Sequence, residues 1–177
     1  ALAATTFKNW KKGDDPFATL KPGGIAPLTG IKRKVFSAEV NDVTFMVSWH
    51  GPSVQKQAAS TYAADVFSGL VNQRISGTQK RPVDAGLFDN VSLGYSTLTN
   101  IGPIQLTATT SPERAVEAAR ALGEELKRFG AADYFSAEDL QLAKKYQQVS
   151  SHYSLERAST SAAMIADIWA TAGLPYF

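Results

Sequence analysis

Apolar and polar residues alternate along Val43 to Trp49: Val43, Phe45, Val47 and Trp49 are apolar, with Thr44 and Ser48 between them. This is the pattern of a strand with one buried face. The preceding run, Lys34 to Val40, reads as a second strand, joined through Asn41 and Asp42, which tolerate tight turns. His50, Gly51 and Pro52 then break the strand, and Ser53 is placed to cap a helix. Val54, Ala58, Tyr62, Val66 and Leu70 recur at every fourth position, which predicts one helical face, and the small Ala58, Ala59, Ala63 and Ala64 let that helix lie close on a sheet.

A polar stretch from Asn72 to Arg81 follows, and Pro82 ends any helix there. Val91, Leu93 and Tyr95 alternate with Ser92 and Gly94, and Ile104, Leu106 and Ala108 alternate with Gln105 and Thr107. With Thr99, Asn100 and Gly102 between them, the two runs predict a hairpin. Ser111 as N-cap and Pro112 at the first helical position open a helix that Gly130 closes in a left-handed conformation. Its expected inward stripe is Val116, Ala119, Leu122, Leu126 and Phe129. Ser136, Ala137, Glu138 and Asp139 form a capping-box pattern before a helix carrying Leu142, Tyr146, Val149 and Tyr153 inward. A last stripe, Leu155, Ala158, Ala162, Ile165 and Trp169, follows a break expected near Ser150 and Ser151, and Gly173 and Pro175 end it. The order strand, strand, helix, strand, strand, then three helices defines an α+β fold with a mainly antiparallel sheet covered by helices on one face. No Gly-rich phosphate loop joins a strand to a helix, so Rossmann and P-loop folds are excluded.

Residues 1–30 differ from the rest. Gly13, Pro16, Pro22, Gly23, Gly24 and Pro27 interrupt regular structure and predict a linker or arm, with residues 31–177 as the domain proper. Phe7, Trp10 and Phe17 imply that the arm lies against a surface, because exposed aromatic side chains leave apolar area unburied.

Composition narrows the chemistry. A hydrophobic fraction of 44%, a charged fraction of 19% and a length of 177 residues suit a globular domain with a sizeable core. The net charge of +2 is too small to suggest a phosphate-binding surface, and Lys32, Arg33 and Lys34 read as a solvated strand entry, so no nucleic-acid partner is expected. No apolar run approaches the length of a membrane span, and Ala1 to Trp10 does not read as a signal peptide. There is no cysteine, hence no thiol nucleophile, no cysteine zinc site and no disulfide. The two histidines, His50 and His152, lie far apart in sequence.

Few constellations remain. His152 and Glu156 share a helical face at a spacing that would let both touch one metal, but two ligands are too few for a structural zinc site. His50 beside Ser48 and Ser53 lacks a nucleophile-elbow pattern and reads as a strand end. Glu113 with Glu117, and Glu124 with Glu125, read as solvated helix faces. Tyr134, Phe135 and Trp169 read as helix-helix core. No catalytic and no metal-binding residue is assigned.

Several segments together resemble a known family. Ser48-Trp49-His50-Gly51-Pro52-Ser53, Val83-Asp84-Ala85-Gly86-Leu87, Gly94-Tyr95, Pro112-Glu113, the run Tyr134 to Leu140, and Ala143-Lys144 occur in the order found in the C-terminal domain of M16 metallopeptidases, the family of pitrilysin, insulinase and mitochondrial processing peptidase. The resemblance runs from Trp10 to Phe177 and implies a LuxS/metallopeptidase-like (M16) fold. It implies a clamshell peptidase whose paired lobes enclose a chamber where an extended peptide or unfolded polypeptide is hydrolysed. In the family, zinc is held by H-x-x-E-H on a helix of the first domain, and this chain has no such motif. The resemblance therefore places zinc in a partner domain or subunit and leaves this chain inactive alone.

Several members hold substrate through an Arg and a Tyr seven residues later. Counting from Arg81, or back from Tyr95, both registers arrive at Phe88, so neither supplies both groups. Phe88 offers no donor to an oxyanion. Arg81, Gly94 and Tyr95 remain the candidates for contact with substrate, without a catalytic role. The leading expectation is a non-catalytic domain forming one wall of the chamber and presenting a sheet edge or groove to peptide. The alternative is a structural or interaction subunit that retains the fold. The start of the chain within an arm suggests an excised domain of a longer lobe. The compartment is left unassigned; a bacterial periplasm is compatible with the resemblance.

Overall fold

The computed structural model describes residues 2–19 and 25–173, apart from the side chains of Pro16 and Phe17. Three strands form the sheet: β1 (Val43–Gly51), β2 (Asn90–Tyr95) and β3 (Gly102–Thr110). Their order is β1-β3-β2, with β3 central and antiparallel to both neighbours. The expected hairpin is therefore present as β2 and β3, and the first alternating run pairs on the other side of β3. Phe45 lies opposite Ala108, and Leu93 opposite Leu106, so the apolar residues of all three strands share one face.

Helices cover that face in part, giving an α+β fold. α3 (Val54–Asn72) contributes Val71, and α5 (Ala115–Arg128) contributes Ala118 and Leu122, to a core with Phe88, Val91, Leu93, Leu106 and Ala108. Burial of each larger aliphatic side chain here contributes about 1.5–3 kcal/mol. Phe67, Phe129, Tyr134 and Phe135 extend the core as a chain of edge-to-face aromatic contacts, with centroids 4.6–6.1 Å apart. Between α3 and β2, Ser76 caps the single turn α4 (Gly77–Lys80) within the polar stretch, which ends before Pro82. After β3, a 3-10 turn at Pro112–Arg114 leads into α5.

The end of β1 requires glycine at two facing positions. Gly51 pairs with Gly102, and a Cβ on Gly102 would stand 2.5 Å from the Pro52 carbonyl oxygen and 2.5 Å from a Tyr95 ring carbon. The backbones and the Tyr95 ring use the space that side chains would need.

Several local expectations are corrected. Lys34–Val40 forms no strand: residues 31–38 have no regular structure, and Val35 and Phe36 are 90% and 77% exposed. Alternation supplies a pattern, but a strand also needs a hydrogen-bonded neighbour. Within the arm, α1 (Leu2–Thr6) and the one-turn α2 (Pro16–Thr19) are helical in spite of the breakers. Phe7 and Trp10 meet edge-to-face, with ring centroids 4.8 Å apart, and stay exposed, while the side chain of Phe17 lies outside the described part. Ser53 makes no side-chain cap; the Val54 and Gln55 amides donate instead to the Leu98 and Thr99 carbonyls, at 3.1 and 3.2 Å. Likewise Ser111 makes no side-chain cap, and Gly130 does not have the positive φ that Gly86 and Gly173 show among the described glycines.

Helical phase shows the largest differences. The capping box at Ser136 is present, opening α6 (Ala137–Glu156), which runs through Ser150 and Ser151 and breaks at Arg157. Its inward side carries Leu140, Ala143, Gln147 and Ser154, while Leu142, Tyr146, Val149 and Tyr153 are exposed. On α7 (Ala158–Thr171), Ser161, Met164, Ile168 and Thr171 are half-buried and the stripe containing Ile165 and Trp169 faces out. Thr99 anchors this orientation, donating from its amide and its hydroxyl to the Thr171 carbonyl at 2.8 and 2.7 Å. Trp169 is therefore not helix-helix core. On α3, Thr61, Ala64, Leu70 and Val71 are buried, whereas Tyr62 is exposed. On α5, Val116 is 68% exposed and Ala118 is enclosed. Pro175 lies outside the described residues.

Candidate functional site

Arg81 immediately follows α4, which Ser76 orients by accepting from the Gln79 amide. Its guanidinium meets Glu125 of α5 side-on: Nε donates to Oε2 at 2.8 Å and Nη2 to Oε1 at 2.5 Å. Glu125 was expected on a solvated face, yet it is only 5% exposed. Ala118, Leu122 and Glu125 are spaced four and three apart, so the inward face of α5 includes the carboxylate. That spacing was the available signal.

Tyr134 completes the network. Its hydroxyl donates to Glu125 Oε1 and lies 2.7 Å from Thr78 Oγ1, while its ring faces the Arg81 guanidinium, 5.3 Å from its centroid. Burial opposes ionisation of Glu125, but the hydrogen bonds from Arg81 and Tyr134 outweigh it and hold the carboxyl below its ordinary value. Burial, together with the hydrogen bond to Glu125, pushes the Tyr134 phenol up to about 12. The bond to Glu125 also raises Arg81. Arg81 is thus already paired, with 42% of its side chain exposed.

Gly94 and Tyr95 lie at the far end of β2. Gly94 is on the exposed face, with nothing within 4 Å of the position a Cβ would take. Tyr95 is half-buried and its hydroxyl donates to the Pro52 carbonyl at 2.9 Å. Gln79, beside Arg81 in sequence, bonds the Val91 carbonyl at 2.8 Å. From Val91 to Tyr95 the strand advances about 13 Å at about 3.3 Å per residue. Arg81 and Tyr95 therefore sit towards opposite ends of β2. Phe88, the position shared by both registers, is 2% exposed and packs edge-on against Phe45 at 6.2 Å.

The remaining candidates stay apart. His50 is exposed at the end of β1, Ser53 is buried, and Ser48 Oγ accepts from Gln105 at 3.4 Å. His152 and Glu156 are exposed on α6, as are Glu113, Glu117 and Glu124. Among the described residues, no group of three or more His, Cys, Asp or Glu could hold a metal ion. No described helix is long and apolar enough to cross a membrane.

The described residues thus offer an antiparallel sheet with one exposed face and a buried network of Arg81, Glu125 and Tyr134. The chain matches the family model described as "Peptidase M16 inactive domain" over residues 1–146. It belongs to the M16 peptidase family, as its inactive C-terminal domain. No curated protein matches it. Among solved structures it is similar to one described as "The crystal structure of a protease from Helicobacter pylori", with a TM-score of 0.73 and 20% identity over 94% of this chain. The chain spans 40% of the length of that protein, and the likeness supports the fold.

Proposed function

We propose that this domain forms one wall of a peptidase chamber and helps to hold an extended peptide, or an unfolded polypeptide, for a zinc-bearing M16 domain or subunit. The observation that carries the reading is the match to the inactive domain over residues 1–146. The paired Arg81 and the separation of Arg81 from Tyr95 agree with positioning and not with acid-base chemistry. Gly94 leaves open space over the exposed face of β2, where a peptide backbone could approach closely. Residues 1–30 act as an arm leading into the domain at 31–177.

The test is to purify the polypeptide of the whole reading frame, together with any M16 subunit encoded beside it. Zinc is measured by elemental analysis and cleavage with a fluorogenic peptide. We expect zinc and cleavage in that assembly, neither with this domain alone, and a raised KM after Gly94→Val. Absence of zinc and cleavage from the whole assembly would favour a structural subunit that keeps the fold. Stoichiometric zinc in this domain, lost on replacing His50 or His152, would also overturn the reading.

A further inference from the structure

With no strand at Lys34–Val40, the basic triplet Lys32, Arg33 and Lys34 has no strand to enter. Residues 25–42 are all exposed, Ile31 by 87%, and among the described residues no backbone hydrogen bond involves residues 28–37. The Lys34 ammonium lies 4.6 Å from the centroid of the Phe36 ring, and neither Lys32 nor Arg33 makes an ion pair among the described residues. None of residues 25–42 belongs to the hydrophobic core or to the side chains packed against it.

Such a backbone meets what the cleft of an endopeptidase requires. A protease takes its substrate as an extended strand, through main-chain amides and carbonyls, so it cuts where several consecutive residues can enter without breaking hydrogen bonds. A basic residue on the acyl side of the bond selects an enzyme whose specificity pocket is acidic. From Leu28 to Ala38 there is no proline and no acidic residue to oppose that pocket.

Other described Lys and Arg residues meet these conditions less well. Those on α3, α4, α5 and α6 lie in hydrogen-bonded helix, and Arg74 and Arg157 sit in short junctions between consecutive helices. Arg81 and Arg114 are ion-paired. Lys8 lies inside the turn that the Trp10 amide closes on the Phe7 carbonyl. Lys11 and Lys12 are exposed and irregular, but Asp14, Asp15 and Pro16 follow them directly after Gly13.

We propose that the triplet Lys32–Lys34 is a processing site for an endopeptidase that requires a basic residue on the acyl side of the bond. Hydrolysis adds one water across the amide, leaving a carboxylate on the basic residue and an ammonium on its successor, with no other reactant. The cut severs the arm and leaves the sheet and the core helices whole, so its effect is separation and not unfolding. The site stands independently of the chamber reading.

Brief digestion of the folded polypeptide of the whole reading frame with trypsin, followed by mass spectrometry of the fragments, tests it. Within residues 1–177 the first cut is expected in the triplet, at a rate within about tenfold of that for a free peptide of residues 28–40 and unchanged by urea below the unfolding transition. The clipped protein is expected to keep its melting temperature to within about 2 °C. In the variant Lys32→Gln, Arg33→Gln, Lys34→Gln, separation of the arm is expected to slow by about tenfold or more. A first cut at Lys11, Lys12, Arg74 or Arg157 would overturn the proposal. So would a rate more than about tenfold below that of the free peptide, or one that climbs with urea, since either marks a segment covered in the folded protein. A larger fall in melting temperature on clipping would place the segment within the fold and equally overturn it.

Discussion

Arg81 and Glu125, from an exposed turn and a buried helix face, meet in a two-point ion pair, with nitrogen-oxygen distances of 2.8 and 2.5 Å. The pair joins α4 to α5 across the end of the sheet, and Tyr134 ties it to the aromatic part of the core. Its strength lies in the mutual satisfaction of the groups, so removing either partner is worse than the bond count suggests.

Arg81→Ala leaves the Glu125 carboxylate buried with Tyr134 as its remaining hydrogen-bond partner in the pair's network. The expected loss is about 2–3 kcal/mol, less than for a fully buried pair because Arg81 is 42% exposed. Glu125→Gln keeps an acceptor and removes the charge, with an expected loss of about 1–2 kcal/mol. Urea denaturation measures both, and equal stability of Arg81→Ala and the parent would contradict the pairing.

Stability should fall at both extremes of pH. The Glu125 carboxyl titrates below its ordinary 4.5 in the folded state, so its contribution is complete above 4.5 and is lost as pH falls through the lower folded value. Tyr134 has the opposite sense: its phenol is raised from 10.0 to about 12, so its contribution is complete below 10.0 and is lost as pH rises towards 12. Melting temperatures across pH, compared with Tyr134→Phe, check this; the variant should lose the decline assigned to the phenol.

Asn72→Ala frees the Leu93 amide and carbonyl at the edge of β2, both of which bond the Asn72 side chain at 2.8 Å. We expect a loss of about 1–2 kcal/mol, since water can reach the edge and replace part of the bonding. Concentration-dependent self-association should appear in light scattering, because an unguarded edge is a template for pairing.

Gly102→Ala puts a methyl group into space held by the Pro52 carbonyl and the Tyr95 ring. The expected loss is about 1–3 kcal/mol. Gly94→Ala, where nothing lies within 4 Å, should stay within about 0.5 kcal/mol of the parent. Thermal unfolding of the two side by side separates crowding from loss of glycine.

The legible parts of this protein were those governed by nearest neighbours. Alternation identified β1, β2 and β3, the capping box at Ser136 marked the start of α6, and Gly173, at φ 86°, ends α7. The order of several weak motifs pointed to the family. Sequence could not settle what depends on partners distant along the chain. Lys34–Val40 reads as a strand and pairs with none among the described residues, while Tyr146 and Trp169 lie on apolar helical stripes that turn outward. Tertiary contacts also decided that Glu125 is enclosed and Glu124 is not, although they are neighbours, because only one points towards Arg81 and Tyr134. Periodicity encodes which residues can share a face; which face is buried follows from the surfaces that meet it.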